Sequence, residues 1–461
     1  MSMSKPLPNS IYARDVEYLL HAVTNARKHE ETGPIVIDRG EGVHVFDDQG
    51  NKYIEAMAGL WSVAVGFGEK RLAEAAYRQM QKLPYYHSFS SKSNEPAILL
   101  AERLVKMSPE KLTKVFFTNS GSEANDTVVK MVWYYNNARG KHEKKTFLSR
   151  INAYHGITIA SGSLTGLPTN HRDFDLPIIP VKHLTCPHFW RFGLPGETEA
   201  EFTDRLAAEL EQVILDAGPE TIAAFIGEPL MGAGGVLPPP AGYWQKVQAI
   251  CRKYEILIVA DEVINGFGRL GTMFACDYYG IEPDMLVVSK QITSSYQPLA
   301  AILFSDEIFQ GIADNTAKIG TFGHGFTAGA HPVATAVGNE NLDIIEERGL
   351  VAHAAEMGEI LQRELRSRFT DHPLVGEVRG VGLIAAVELV ADKATKQRFD
   401  PPGKTGAYLF GKGHEHGVII RAIGDQIAFC PPLIITEAEI MDMLDRFALA
   451  LEDTWSMVQA S

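Results

Sequence analysis

The chain of 461 residues carries 43 basic and 57 acidic side chains, a formal net charge of −14, with 45% hydrophobic and 22% charged residues. These are the proportions of a globular protein of two or three domains, and the acidic balance disfavours a nucleic-acid partner, whose phosphates need a basic face. No apolar run reaches the ~18 residues of a membrane span, the N-terminal stretch has no apolar signal core, and four scattered cysteines make no disulfide framework, so a reducing cytoplasm is expected.

Residues 11–31 alternate charged and apolar positions and are expected to begin with a helix. Residues 36–54 read as short strands around the turn residues Asp48 to Asn51. Residues 90–107 predict an amphipathic helix. From about residue 112 strands alternate with helices. The strand runs are 115–118, 146–149, 178–181, 223–228, 256–261, 285–289 and 300–304. Helical patterns follow at 124–139, 199–217 and 243–254. Such alternation implies an α/β fold with a mostly parallel sheet covered on both faces. After residue 331 a helical region runs to about 369. Strands near 376–390 and 418–430 and a final helix from Thr436 to about Met457 follow, and these predict a smaller α+β unit.

Two strand ends carry the chemistry. The run 256–261 ends on Asp261, and the run 285–289 is followed by Lys290. Ligands of open α/β sheets sit beyond the carboxyl ends of the strands, so both side chains would enter one crevice. An acid and an amine so placed are the pair that pyridoxal phosphate needs: a Schiff-base lysine and a partner for the pyridine nitrogen. Taken alone, the two residues read better as a surface ion pair or a helix cap. Ser120, Gly121 and Ser122 lie between a strand and a helix, where backbone N–H groups can hold a phosphate; alone they are an ordinary N-cap. Tyr154, His155 and Gly156 follow another strand, and the tyrosine could stack on a flat ring. Arg421 follows an apolar strand and has the fork to grip a carboxylate.

Other patterns fail on spacing. Gly266 to Gly271 matches G-x-G-x-x-G, but Asp261 to Asn265 intervene between it and the apolar run, and the acid it needs is misplaced. Pro402 to Thr405 imitates the end of a phosphate loop, with Arg398 where its first glycine belongs. Neither His183, Cys186 and His188 nor His414 to His416 has a second ligand pair at zinc spacing, so no metal site is expected.

Several pieces recur together. NSGSEAND at 119–126, YHG at 154–156, GEP at 227–229, DEV-x-x-GFGR at 261–269, SK at 289–290, HGFT at 324–327 and AFCPPLIIT at 428–436 resemble the class III pyridoxal-phosphate-dependent aminotransferases. AGLWSVAVGFG at 58–68 resembles their omega-transaminase, amine:pyruvate branch. The resemblance runs from about residue 12 to 455. It implies a fold-type-I transferase with a large cofactor-binding domain at 81–344 and a small domain built from 1–80 and 345–461. It implies transfer of an amino group from a primary amine or omega-amino acid to pyruvate. The same site could instead racemise, decarboxylate or shift an amine, or take beta-alanine, taurine or a diamine.

By the same resemblance Lys290 would bind the cofactor covalently and shuttle the proton, and Asp261 would pair with the ring nitrogen. Val263 and Tyr154 would sandwich the ring. Ser120, Gly121 and Ser122, with His155 and Gly156, would complete the cofactor site, and Glu228 would support Asp261. Phe326 and Thr327 would reach the phosphate of a neighbouring subunit, which implies a homodimer with shared sites. Trp61, Phe89, Tyr154, Ile264 and Val23 would line the substrate cavity, and Arg421 would bind the pyruvate carboxylate. Ile264 stands where ornithine and 4-aminobutyrate aminotransferases usually carry Gln, and Met231-Gly232-Ala233 is apolar where they are polar. Both departures argue for an apolar amine donor. Ala328-Gly329-Ala330 after HGFT also departs from the family.

Overall fold

Seven apolar runs build the central sheet of this computed structural model, which describes residues 9–460. Residues 1–8, part of the stretch read for a signal, and Ser461 lie outside the described residues. In chain order the strands are β1 (Leu112–Thr118), β2 (Thr146–Arg150), β3 (Val181–Leu184), β4 (Ile222–Gly227), β5 (Leu257–Asp261), β6 (Met285–Val288) and β7 (Ala300–Ser305). They lie side by side as β1-β7-β6-β5-β4-β2-β3. The pairs from β6 to β3 are parallel, and β7 runs antiparallel to both β6 and β1.

Side chains that alternate along these strands belong to two separate clusters. Phe147, Ala224, Ile226, Val259, Val287 and Ile302 pack with the helix Gly121–Ala138 through Val128, Val132 and Tyr135. Their neighbours Leu148, Phe225, Ile258, Leu286 and Leu303 join Leu206 and Leu210 of Glu199–Ala217 and Trp244 of Tyr243–Lys253. Period-two alternation with both faces covered explains why the runs read as almost continuously apolar.

Two smaller sheets flank this one. Val375–Val381, Ile384–Leu389, Gln426–Phe429 and Arg421–Ile423 form an antiparallel sheet. In the other, Ile37–Glu41, His44–Asp47 and Lys52–Glu55 are joined by Val418–Ile419, which pairs parallel with Ile54 and Glu55. The four cysteines are free and buried. No described helix is long and apolar enough to cross a membrane.

Some boundaries differ from the sequence reading. The strand expected at 178–181 lies at Val181–Leu184, because Pro180 has no N–H for the ladder and instead offers its carbonyl to the Phe147 amide. The helix expected from residue 90 starts at Glu95, where the Asn94 side chain caps the Ala97 amide at 3.1 Å and Pro96 sits in the first turn. The region 331–369 is two helices, Pro332–Glu347 and Leu350–Phe369, separated by Gly349 at φ +60°. The N-terminal stretch is likewise two helices, Ile11–Tyr18 and Ala26–Thr32. Lys70–Lys82 is a further helix that the reading did not predict; its strongly polar sequence buries only Leu72, Ala75 and Gln79.

Candidate active site

Parallel pairing of β5 and β6 brings their carboxyl ends to one edge of the sheet. Asp261 closes β5, and Lys290 follows β6 by two residues. Both line a cavity of about 370 Å³, a size that suits a small cofactor. Ser120, Gly121, Ser122, Tyr154, His155, Gly156, Glu228, Val263 and Ile264 line the same cavity.

Asp261 is 3% exposed. Its Oδ2 accepts from Asn125 Nδ2 at 2.9 Å and meets His155 Nδ1 at 2.8 Å, and its Oδ1 accepts from the Val263 amide at 3.2 Å. Burial pushes its pKa up, but the hydrogen bond and charge of His155, with Asn125 and Val263, outweigh that. The carboxyl therefore stays below its ordinary value. Burial lowers the pKa of the Lys290 amine, although Asp261 and Glu228 oppose the shift. A lowered amine pKa raises the fraction available as a nucleophile.

Lys290 has φ +46°, a left-handed conformation that non-glycine residues rarely adopt. The turn Lys290–Ile292 is pinned from three sides. Asn341 Nδ2 donates to the carbonyls of Gln291 at 2.8 Å and Ile292 at 3.2 Å. Gln291 Nε2 donates to the carbonyls of Ile264 and Gly266, each at 2.8 Å. Gln291 Oε1 accepts from Arg269 at 3.2 Å.

The N-terminus of Gly121–Ala138 lines the same cavity, with Gly121 beside Val263 and Ser289. Ser120 caps it by accepting from the Glu123 amide at 3.2 Å. The first-turn amides have no intrahelical acceptors and carry the positive end of the helix dipole. A methyl group on Gly156, at φ +135°, would fall 2.7 Å from Ser122 Oγ and would strike Ser161 Oγ. Only a glycine lets the backbone pass here. Glu228, 2% exposed, accepts from the amides of Tyr154 at 3.0 Å and Gly232 at 2.8 Å. Burial raises its pKa.

The family model for aminotransferase class-III matches residues 24–451. This chain is a class-III aminotransferase. Two curated relatives are a mitochondrial gamma aminobutyrate transaminase 1 of Solanum lycopersicum and a probable mitochondrial gamma-aminobutyrate transaminase 3 of Oryza sativa subsp. indica. The first is 48% identical over 96% of this chain and 86% of its own length; the second is 49% identical over 91% and 82%. Among solved structures, the omega transaminase of Pseudomonas jessenii in complex with PMP has a TM-score of 0.96 and 61% identity, covering 98% of this chain and 99% of that one. A thermostable 4-fold mutant from the same organism scores 0.96 at 60% identity over 97% and 99%.

The aminotransferase is thus a fold-type-I enzyme that works with pyridoxal phosphate. The residues present fit that group. A buried carboxylate kept ionised and an amine of lowered pKa line one cavity, and the open helix amides in the same lining suit a phosphate.

Six residues singled out in the sequence lie outside the cavity lining. Trp61 is 2% exposed and packs with Ile264 and Leu230. Phe89 is exposed and lies against Gly325. Val23 is 99% exposed. Phe326 rests edge-on to His324, and the exposed Thr327 accepts at its carbonyl from Tyr85 Oη at 2.8 Å. Arg421 is half-buried at the start of Arg421–Ile423. In turn, the cavity includes Asn119, Asn125 and the loop residues Ser295, Gln297, Pro298 and Leu299, which the sequence reading did not single out. Asn125 had one available signal: an amide in the first turns of a helix whose buried face is mostly apolar.

Glu55 controls the turn that carries Trp61. It is 4% exposed and accepts from the amides of Gly59 and Met57. Ala58, Gly59 and Trp61 all have positive φ. Burial pushes the Glu55 carboxyl from 4.5 up to about 8. The stability that comes with the protonated form is full below 4.5 and is lost as pH rises through about 8. Glu55→Gln should flatten this decline. Thermal unfolding of both proteins across that range checks it; parallel curves would remove Glu55 as the cause.

Proposed function

We propose that this aminotransferase moves an amino group from a primary amine or omega-amino acid to pyruvate, in two half-reactions that share one site. Arg421 carries this reading. Its guanidinium is half-buried and has no hydrogen bond or ion pair among the described residues. Burial lowers its pKa, and its charge is felt by both Tyr154 and Lys290. An unpaired buried cation is costly unless a ligand supplies the counter-charge, and a planar guanidinium suits a carboxylate. The neighbouring wall is apolar: Ile264 packs with Trp61 and Leu230, and a methyl group on Gly232 would lie 2.5 Å from Ile264. A carboxylate grip beside an apolar wall suits a small oxo acid as acceptor and an apolar amine as donor.

Pyridoxal phosphate supplies an aldehyde for the amino group and a ring that accepts the electrons left behind. The chain supplies the rest. Lys290 would hold the cofactor through its amine and, once freed, would carry the proton to and from the reacting carbon. Asp261, held ionised, would keep a proton on the ring nitrogen. Tyr154 and Val263 would pack on the ring. Ser120, Gly121, Ser122 and Gly156 would hold the phosphate, and His155 and Glu228 fix the geometry around Asp261 and Tyr154.

Arg421→Ala tests the carboxylate grip. The KM for pyruvate should rise about 10- to 100-fold, from the ~1.5–3 kcal/mol of a charge-assisted hydrogen bond. Deamination of an uncharged amine should be nearly unchanged. Equal losses in both half-reactions would refute the assignment.

The names of the curated relatives favour a second reading of the donor. 4-Aminobutyrate also carries a carboxylate, which Arg421 would grip as it grips that of pyruvate. A donor panel against pyruvate, followed as alanine release, decides between an apolar amine and this omega-amino acid. We also propose a homodimer in which Phe326 and Thr327 complete the partner's site. Tyr85, Tyr86 and Phe89 are 40%, 42% and 41% exposed in one chain, and Tyr85 bonds Thr327. Sedimentation as a monomer would rule this out.

A further inference from the structure

We propose that Asp15, His21 and His29 form a binding site for a divalent ion of the zinc class. The three residues come from separate pieces of the N-terminal segment: the helix Ile11–Tyr18, the loop after it, and the helix Ala26–Thr32. His21 Nε2 lies 3.0 Å from both Asp15 oxygens, and His29 Nε2 lies 2.8 Å from Asp15 Oδ1. The two imidazole rings are 4.3 Å apart. All three ligand atoms fall within 4.8 Å of one another. The side chains are shielded, at 16% exposed for Asp15, 31% for His21 and 12% for His29.

The donor set selects the ion. Two imidazoles and one carboxylate suit zinc, copper, nickel and cobalt, whereas calcium and magnesium prefer oxygen ligands. Ligand atoms ~2.1 Å from a tetrahedral ion stand ~3.4 Å apart. The observed separations therefore need only a small opening to seat one. Both Nε2 atoms point at the same carboxylate, so an ion between them replaces two N–H···O contacts with three coordinate bonds. Each imidazole then keeps its proton on Nδ1, and water takes the fourth position.

Within one chain, few other contacts hold the segment. Neither helix buries a residue, and they span only 8 and 7 residues. Helices so short do not persist alone in water. Beyond the cluster, Tyr12 ties the segment to the body by donating to Asp48 at 2.6 Å and accepting from Gln49 at 3.2 Å. Small units without an apolar core commonly take their stability from a metal. A second His-carboxylate group, His188 with Glu377 and Glu388, differs in kind. Arg379 already bonds both of its glutamates at 2.6 Å, and Arg191 bonds Glu388 at 2.6 Å. Cations there leave no charge for an ion to neutralise.

The test uses the holoenzyme, treated with chelator and then titrated with zinc chloride, with bound metal measured by equilibrium dialysis and elemental analysis. The expected result is one zinc per chain. Loss of a partner that only orients a ligand already costs ~10–100-fold in affinity, so Asp15→Asn, His21→Ala and His29→Ala should each weaken binding ~100-fold or more. An enzyme that takes up no zinc, or three variants that bind it as tightly as the parent, would overturn the proposal.

Discussion

Lys290→Ala is expected to lower turnover by about 10⁴-fold or more, since it removes both a covalent nucleophile and a positioned proton carrier. No other amine can substitute. Lys290 is the lysine that lines the cavity with Asp261, and its turn is locked by Asn341 and Gln291. The side chain enters the cavity from a backbone at φ +46°, so a lysine displaced by one residue would leave from a different direction. The variant should fold, because alanine removes no core contact. Borohydride reduction of the parent should fix the cofactor to Lys290, and the variant should retain no such label. A variant within tenfold of the parent, or a label on another residue, would remove the centre of the proposed chemistry.

Asp261→Asn is expected to lower kcat by about 10²–10³-fold, the scale seen when one preorganised electrostatic partner is lost. The substitution keeps the shape of the side chain and removes its charge. An amide oxygen in place of Oδ2 still serves Asn125 Nδ2 and His155 Nδ1, but the new NH2 in place of Oδ1 meets the Val263 amide donor to donor. The KM values should move little, because Asp261 is engaged with Asn125, His155 and the Val263 amide, whereas the proposed grip on the substrate is Arg421. Steady-state kinetics on the amine and on pyruvate check this. An unchanged kcat with a raised KM would assign Asp261 to binding alone.

The sheet was largely legible in the sequence because its central strands are buried on both faces and so read as almost continuous apolar runs. Asp261 and Lys290 were legible for the same reason, since a charged residue ending such a run has one edge of the sheet to go to. The loop 295–299 was not. Its Ser, Gln and Pro carry no periodicity, and only the tertiary path brings them to the cavity. Asn125 was hidden within a helical pattern, and its bonds to His155 and Asp261 cross 30 and 136 residues. Asp15, His21 and His29 follow no familiar ligand spacing; a bend between two short helices brings them together. Arg421 was visible as a strand-end cation, but its lack of a counter-charge emerges only when every neighbour is in place.

The pairing of Ile54 with Val418 joins strands that are made at opposite ends of synthesis. The ribosome must add more than three hundred further residues before the edge of Lys52–Glu55 meets its mate. Until then the nascent hairpin shows an open ladder to its surroundings, a template for unwanted pairing. A strand made far later than the hairpin therefore closes its edge, and a chain cut before Val418 leaves that edge bare.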